Sequence, residues 1–183
     1  MAWRKAVATE YFAPLADFYA AAGARLPHCE IIMGSEMPQP YRSLLVHEHD
    51  MTSTLEGFHN GQIHLRVLSS AQKGNLYRRE VVLAVDGSDA PVEFGAIRIH
   101  LTALPAPTRV QVLEAKRPLG AILSECAVEY TSRPLVFFRV DSDDVINRAL
   151  ELSGKQHLFG RCNEITDTTG RSIAEIVEIL PPC

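Results

Sequence analysis

Residues 47–56 read HEHDMTSTLE, and their types raise a metal-ligand question at once. On a strand, residues i and i+2 share a face, so His47 and His49 can point at one ion, with Glu48, Asp50 and Glu56 nearby. A catalytic zinc needs a third ligand and groups that orient the first three, and neither His64 nor His100 stands at a recognised spacing. The plainer reading is two histidines leading into a capped helix, and no metal is expected. Nucleophilic chemistry finds no footing either. There is no G-x-S-x-G elbow, and Cys29 merely follows His28 in sequence.

A second set of residues is more informative. Arg78, Arg79 and Glu80 follow one another in an expected strand, so one of the two arginines faces the covered side. An inward guanidinium requires a carboxylate, from the protein or from a ligand. Glu175 and Glu178 in AEIVEILPP point to opposite faces, so one of them can be inward too. An inward Arg–Glu pair can be structural. It can equally be a clamp for a small carboxylate, and residue types alone do not choose between the two.

The elements that position these groups follow from pattern and punctuation. Residues 8–24 read as a helix with Tyr11, Phe12, Leu15, Phe18 and Tyr19 on one side and Pro14 near its first turn or at a kink. MPQPYR (37–42) is a loop, and SLLVHEH (43–49) is extended or helical. A short helix follows, capped by Asp50 or Thr52 or by a Ser53–Glu56 box, and it stops near Asn60-Gly61. QIHLRVL (62–68) alternates as a half-buried strand. Residues 76–85 and 92–104 flank DGSDAP and predict an antiparallel hairpin. RPLGAIL (117–123) turns into a helix, VFFRV (136–140) is a strand, and SDDVINRALEL (142–152) is a helix capped by Ser142 or Asp143. Two closing strands flank Asp167–Gly170. Strands paired through short turns make this an α+β domain on an antiparallel sheet.

The bulk numbers bound the function. A chain of 183 residues with 46% hydrophobic and 22% charged residues suits one soluble domain. A net charge of −4 without a basic block disfavours nucleic acid as a partner. No apolar run reaches the roughly 20 residues that span a bilayer, so no membrane is expected. The N-terminus lacks the apolar core of a secretion signal. Four cysteines without a CxxC pair are expected as reduced thiols in a cytoplasmic protein.

DMTSTLE, YRREVVL, RPLGAIL, LFGR and EILPP occur in this order within residues 43–182. In this the chain resembles the chorismate pyruvate-lyases and their lyase-like relatives. The resemblance implies a single chorismate lyase-like domain over 1–183, with an antiparallel sheet, helices on one side and a buried ligand pocket. It also implies a carbon–oxygen lyase that removes the enolpyruvyl group of chorismate as pyruvate and leaves 4-hydroxybenzoate, without a cofactor. Carried over residue by residue, the ligand-carboxylate arginine falls on Arg79. Backbone contacts fall on Met51 and Leu119, and the acid on Glu178, with Glu175 as the alternative if the strand slips. A dianionic substrate explains the guanidinium, and a proton acceptor or donor explains the glutamate. Residues 1–42 read as an N-terminal helical extension and 135–157 as an insertion. A further lyase-like reading is action on another small aromatic or enolpyruvyl carboxylate. The alternative from another class is a non-catalytic domain binding aromatic acids, related to the effector domains of transcription regulators. Such regulators usually carry a helix-turn-helix, for which MAWRKAVATEYFAP offers little room. Oligomeric state is left open.

Overall fold

Pro14 and its apolar neighbours set the first helix. A computed structural model of the chain describes residues 10–183, so the first two residues of the expected helix, 8 and 9, lie outside the described part. Helix α1 (Ala13–Ala21) carries Pro14 in its first turn, where a missing N–H costs nothing. Phe12, Leu15 and Tyr19 are buried. The expected N-terminal helical extension also holds a strand, β1 (Cys29–Ile32), before the short helix α2 (Tyr41–Leu45).

Asp50 resolves the capping question. Its carboxylate accepts from the Ser53 backbone N–H at 2.9 Å and starts α3 (Met51–His59), which Asn60 closes in the left-handed conformation at φ 51°. Glu56 takes no part in a capping box; it accepts the Ile63 N–H instead. Strand β2 (Ile63–Lys73) runs beyond the expected segment. Strands β3 (Leu76–Val85) and β4 (Pro91–His100) form the expected hairpin. A single 3-10 turn at Leu101–Ala103 ends the second arm earlier than residue 104.

Helix α4 (Ala106–Glu114) precedes α5 (Leu119–Glu125), the helix of the PLG stretch. VFFRV grows into the twelve-residue β5 (Tyr130–Asp141). In α6 (Asp144–Leu150) the Asp143 carboxylate accepts the N–H groups of Val145 and Ile146. Strands β6 (His157–Asp167) and β7 (Ser172–Leu180) close the chain around a turn in which Gly170 adopts φ 83° and Asp167 accepts from Thr169 and Arg171.

All seven strands join one antiparallel sheet in the order β1-β5-β6-β7-β4-β3-β2. Because side chains alternate, neighbouring residues serve different cores. Val82, Ala84, Phe94, Ala96, Val177 and Ile179 meet α1 and α6 on one face. Tyr77, Ile97 and Ile99 meet α4 and α5 on the other, and Leu83 meets α2 and α3 there. The α+β architecture is as expected, with a second helical layer, α1 and α6, added to the face opposite the pocket. Among the described residues no helix is long and apolar enough to cross a membrane.

Candidate ligand pocket

Between the sheet and the starts of α3 and α5 lies a pocket with about 640 Å³ of atom-free space, counting its mouth. Arg79, Met51, Leu119 and Glu178, the residues picked out in the sequence, all line it. Glu175 does not. It sits on the opposite face beside Arg98 at 3.6 Å and His100 at 3.3 Å. Arg78 also faces that side and pairs with Asp17 at 3.2 Å, so both arginines of the RRE run are covered.

The inward Arg–Glu pair exists, but its cation is another residue. Arg161 donates from Nε to Glu178, and its Nη1 donates to the carbonyls of Leu45 at 3.2 Å and His47 at 3.0 Å. These side chains are almost fully buried, at 1% and 6% exposure. The pairing follows from register, because Arg161 stands directly opposite Glu178 across β6 and β7. Gly160 makes that register possible. A Cβ there would come well inside 3.0 Å of the Glu178 carbonyl and of the Phe138 ring.

Arg79 has no such partner. It is 2% exposed, and its one hydrogen bond among the described residues runs from Nη2 to the Arg117 carbonyl at 3.3 Å. Its Nε and Nη1 are buried without an acceptor. Burial lowers its pKa from the ordinary value, yet a guanidinium keeps its charge at physiological pH. A desolvated cation with unused donors has the chemistry to receive an anion, and a carboxylate matches the fork.

Three further groups shape the pocket, and the sequence reading missed them. Glu93, 4% exposed, has an unpartnered Oε2. Burial, then the Glu178 carboxylate, pushes its pKa well above the ordinary carboxylate value, and Arg161 offsets only part. Asn163 donates from Nδ2 to Ser132 Oγ at 2.9 Å and leaves Oδ1 unpartnered. Gly120 lets the Asp50 carboxylate lie against the start of α5, where a Cβ would overlap it. The available sequence signal for Glu93 was a charge at an alternating position of a strand otherwise apolar from Val92 to Ile97. Arg161 was visible only as half of the GR pair.

His47 and His49 stack with ring centroids 5.7 Å apart. His47 Nε2 lies 2.7 Å from the Leu44 carbonyl, and its Nδ1 accepts the His49 N–H at 3.1 Å. Both ring nitrogens are therefore spent on fixing the loop that covers Arg161, and only His49 lines the pocket. Among the described residues, no group of three or more His, Cys, Asp or Glu is placed to hold a metal. At the α3 start, Asp50 satisfies Ser53, while Met51 and Thr52 line the pocket and their N–H groups have no partner inside the helix.

Neither a protein-family model nor a curated protein sequence matches the chain. Solved structures do. PhnF from Mycobacterium smegmatis aligns at a TM-score of 0.58 and 11% identity, over 74% of this chain and 64% of that one. This chain thus spans less than two thirds of that protein's length. The effector domain of the same PhnF aligns at 0.55 and 11% identity, over 72% of this chain and 87% of the domain. A putative transcriptional regulator from Streptomyces coelicolor aligns at 0.51 and 14% identity, over 66% and 87%. At these identities the likeness is one of fold. The expectation of a carbon–oxygen lyase acting on chorismate is overturned, since the similar structures are an effector domain and a putative transcriptional regulator. Glu178, expected to handle a proton, is engaged in a buried ion pair with Arg161.

Proposed function

We propose that the chain is a non-catalytic small-molecule-binding domain of the effector type, and that its ligand is a small organic acid whose carboxylate sits on Arg79. The observation that carries this reading is the buried Arg79 guanidinium, with Nε and Nη1 unpartnered at the pocket. Leaving such donors unused costs free energy that an anion recovers on binding. The likeness in fold to the effector domain of PhnF supports binding over catalysis. The Met51 and Thr52 N–H groups and the Leu119 backbone complete the cradle, with Glu178 holding Arg161 in the wall.

Titration calorimetry with benzoate and 4-hydroxybenzoate tests it. Saturable binding is expected in the parent, with a loss of about tenfold to hundredfold in Arg79→Met, the scale of a charged hydrogen bond. Equal binding by parent and variant would overturn the role of Arg79. Chorismate is expected to survive incubation, and pyruvate release at catalytic turnover would overturn the non-catalytic reading.

A further inference from the structure

Holding an anion gives Glu93 no task, and its surroundings describe what it lacks. Its carboxyl is 4% exposed, has an unpartnered Oε2, and folds back so that Oε1 lies 3.0 Å from where a Cβ of Gly95 would stand. The charged and titratable groups around it are Glu178 from β7, Asp50 at the α3 cap, Arg161 from β6 and Arg79 from β3, with His49 and Tyr130 on the same pocket wall. Arg161 is turned to Glu178 and to two backbone carbonyls. Two carboxylates therefore face Glu93, and the nearest guanidinium is directed elsewhere. A hydroxyl would satisfy one oxygen, whereas a cation would also attract the carboxylates nearby.

The spacing fits a ligand with two ends. Arg79 stands opposite Ile97 on β4, and Glu93 leans over Gly95, two residues further along that strand. Val81, Gly95 and Ile97 give that interval an apolar floor. We propose that the ligand is an amino-carboxylic acid held at both ends, carboxylate on Arg79 and ammonium on Glu93, with an apolar spacer between them. This rests on the carboxylate reading of the pocket and adds its second end.

A proton accompanies the event. In the empty pocket, burial and the neighbouring carboxylates favour protonated Glu93. An arriving ammonium favours the ionised form, and the proton leaves to solvent. Affinity for the amino acid therefore climbs with pH, by up to about tenfold per unit, and levels off once the empty-pocket Glu93 is itself ionised. A ligand with a neutral tail shows no such climb from this group.

Three para-substituted benzoates test the proposal on the full chain: 4-(aminomethyl)benzoate, 4-(hydroxymethyl)benzoate and 4-methylbenzoate, titrated calorimetrically from about pH 5 to about pH 8. The amino compound is expected to bind about tenfold to hundredfold more tightly than the methyl one, with proton release and a rise with pH. Glu93→Gln is expected to lose both the preference and the rise while still binding 4-methylbenzoate, which also reports an intact pocket. If Glu93→Gln binds none of the probes, the parent's proton release decides: its presence supports the proposal and its absence overturns it. Arg79-dependent binding of all three probes with equal affinity, or tightest binding of the hydroxymethyl compound, would overturn the ammonium site and leave the carboxylate reading standing. Failure of all three probes to bind would overturn both.

Discussion

Arg79 and Glu93 are both buried without a charged partner, and they respond to that isolation differently. A guanidinium keeps its charge, whereas a carboxyl can take up a proton. The folded-state pKa of Glu93 lies well above the ordinary value of 4.5. As pH rises through 4.5 the unfolded chain ionises first, so stability present at low pH is lost until the folded-state value is passed. Glu93→Gln is therefore expected to be more stable than the parent near pH 7, by about 1–3 kcal/mol, and equal to it near pH 4. Urea denaturation at the two pH values measures this, and a gain that is the same at both would show that titration of Glu93 is not its cause. Arg161 predicts the reverse. Removing it by Arg161→Met strands Glu178 in a buried site and is expected to cost about 3–5 kcal/mol in the same measurement. Adjacent arginines on a strand put one of them inward, and the resemblance to the chorismate pyruvate-lyases chose Arg79. The sequence did not show that Arg161 is the cation facing Glu178, because that pairing depends on the β6–β7 register, and Arg161 and Glu178 are seventeen residues apart.

At the scale of elements, the pocket wall is a contact between two helix starts. Asp50 both caps α3 through Ser53 and lies against α5 at Gly120. Asp50→Ala is expected to cost about 1 kcal/mol for the lost cap. Gly120→Ala should gain helix propensity, yet in the parent its methyl overlaps the Asp50 carboxylate. The two substitutions are therefore coupled: Gly120→Ala is expected to destabilise the parent and to be tolerated beside Asp50→Ala. A double-mutant cycle by denaturation should give an interaction of about 1–3 kcal/mol, and strict additivity would remove the contact from consideration. Elements written in local chemistry were legible, as the Asp50 cap, the Asn60 stop, the β3–β4 hairpin and the Asp143 cap show. Those held by tertiary contact were not. Strand β1 has four residues and owes its conformation to β5, and α4 buries only Thr108 and Val112, too few for a periodic stripe.

On the scale of the whole molecule, a sheet covered on both faces leaves the pocket as an unfilled part of one core. The fold carries a desolvated cation there whether or not an acid is bound, so the binding site and the stability of the empty protein oppose each other. Arg79→Met keeps an unbranched apolar stem and removes the stranded donors. The empty variant is expected to be more stable than the empty parent by about 1–2 kcal/mol, or a rise in Tm of roughly 2–8 °C for a domain of this size. Ligand reverses the order. At a hundred times its Kd for the parent, an acid that binds only the folded state adds about 2.7 kcal/mol to the parent and about 0.4–1.4 kcal/mol to the variant, which binds it tenfold to hundredfold more weakly. Thermal scans of both proteins across a benzoate series should therefore cross, with the variant ahead without ligand and the parent ahead near saturation. A variant less stable than the parent at zero ligand would show that Arg79 is held by the protein itself, and the pocket would lose its claim to a carboxylate.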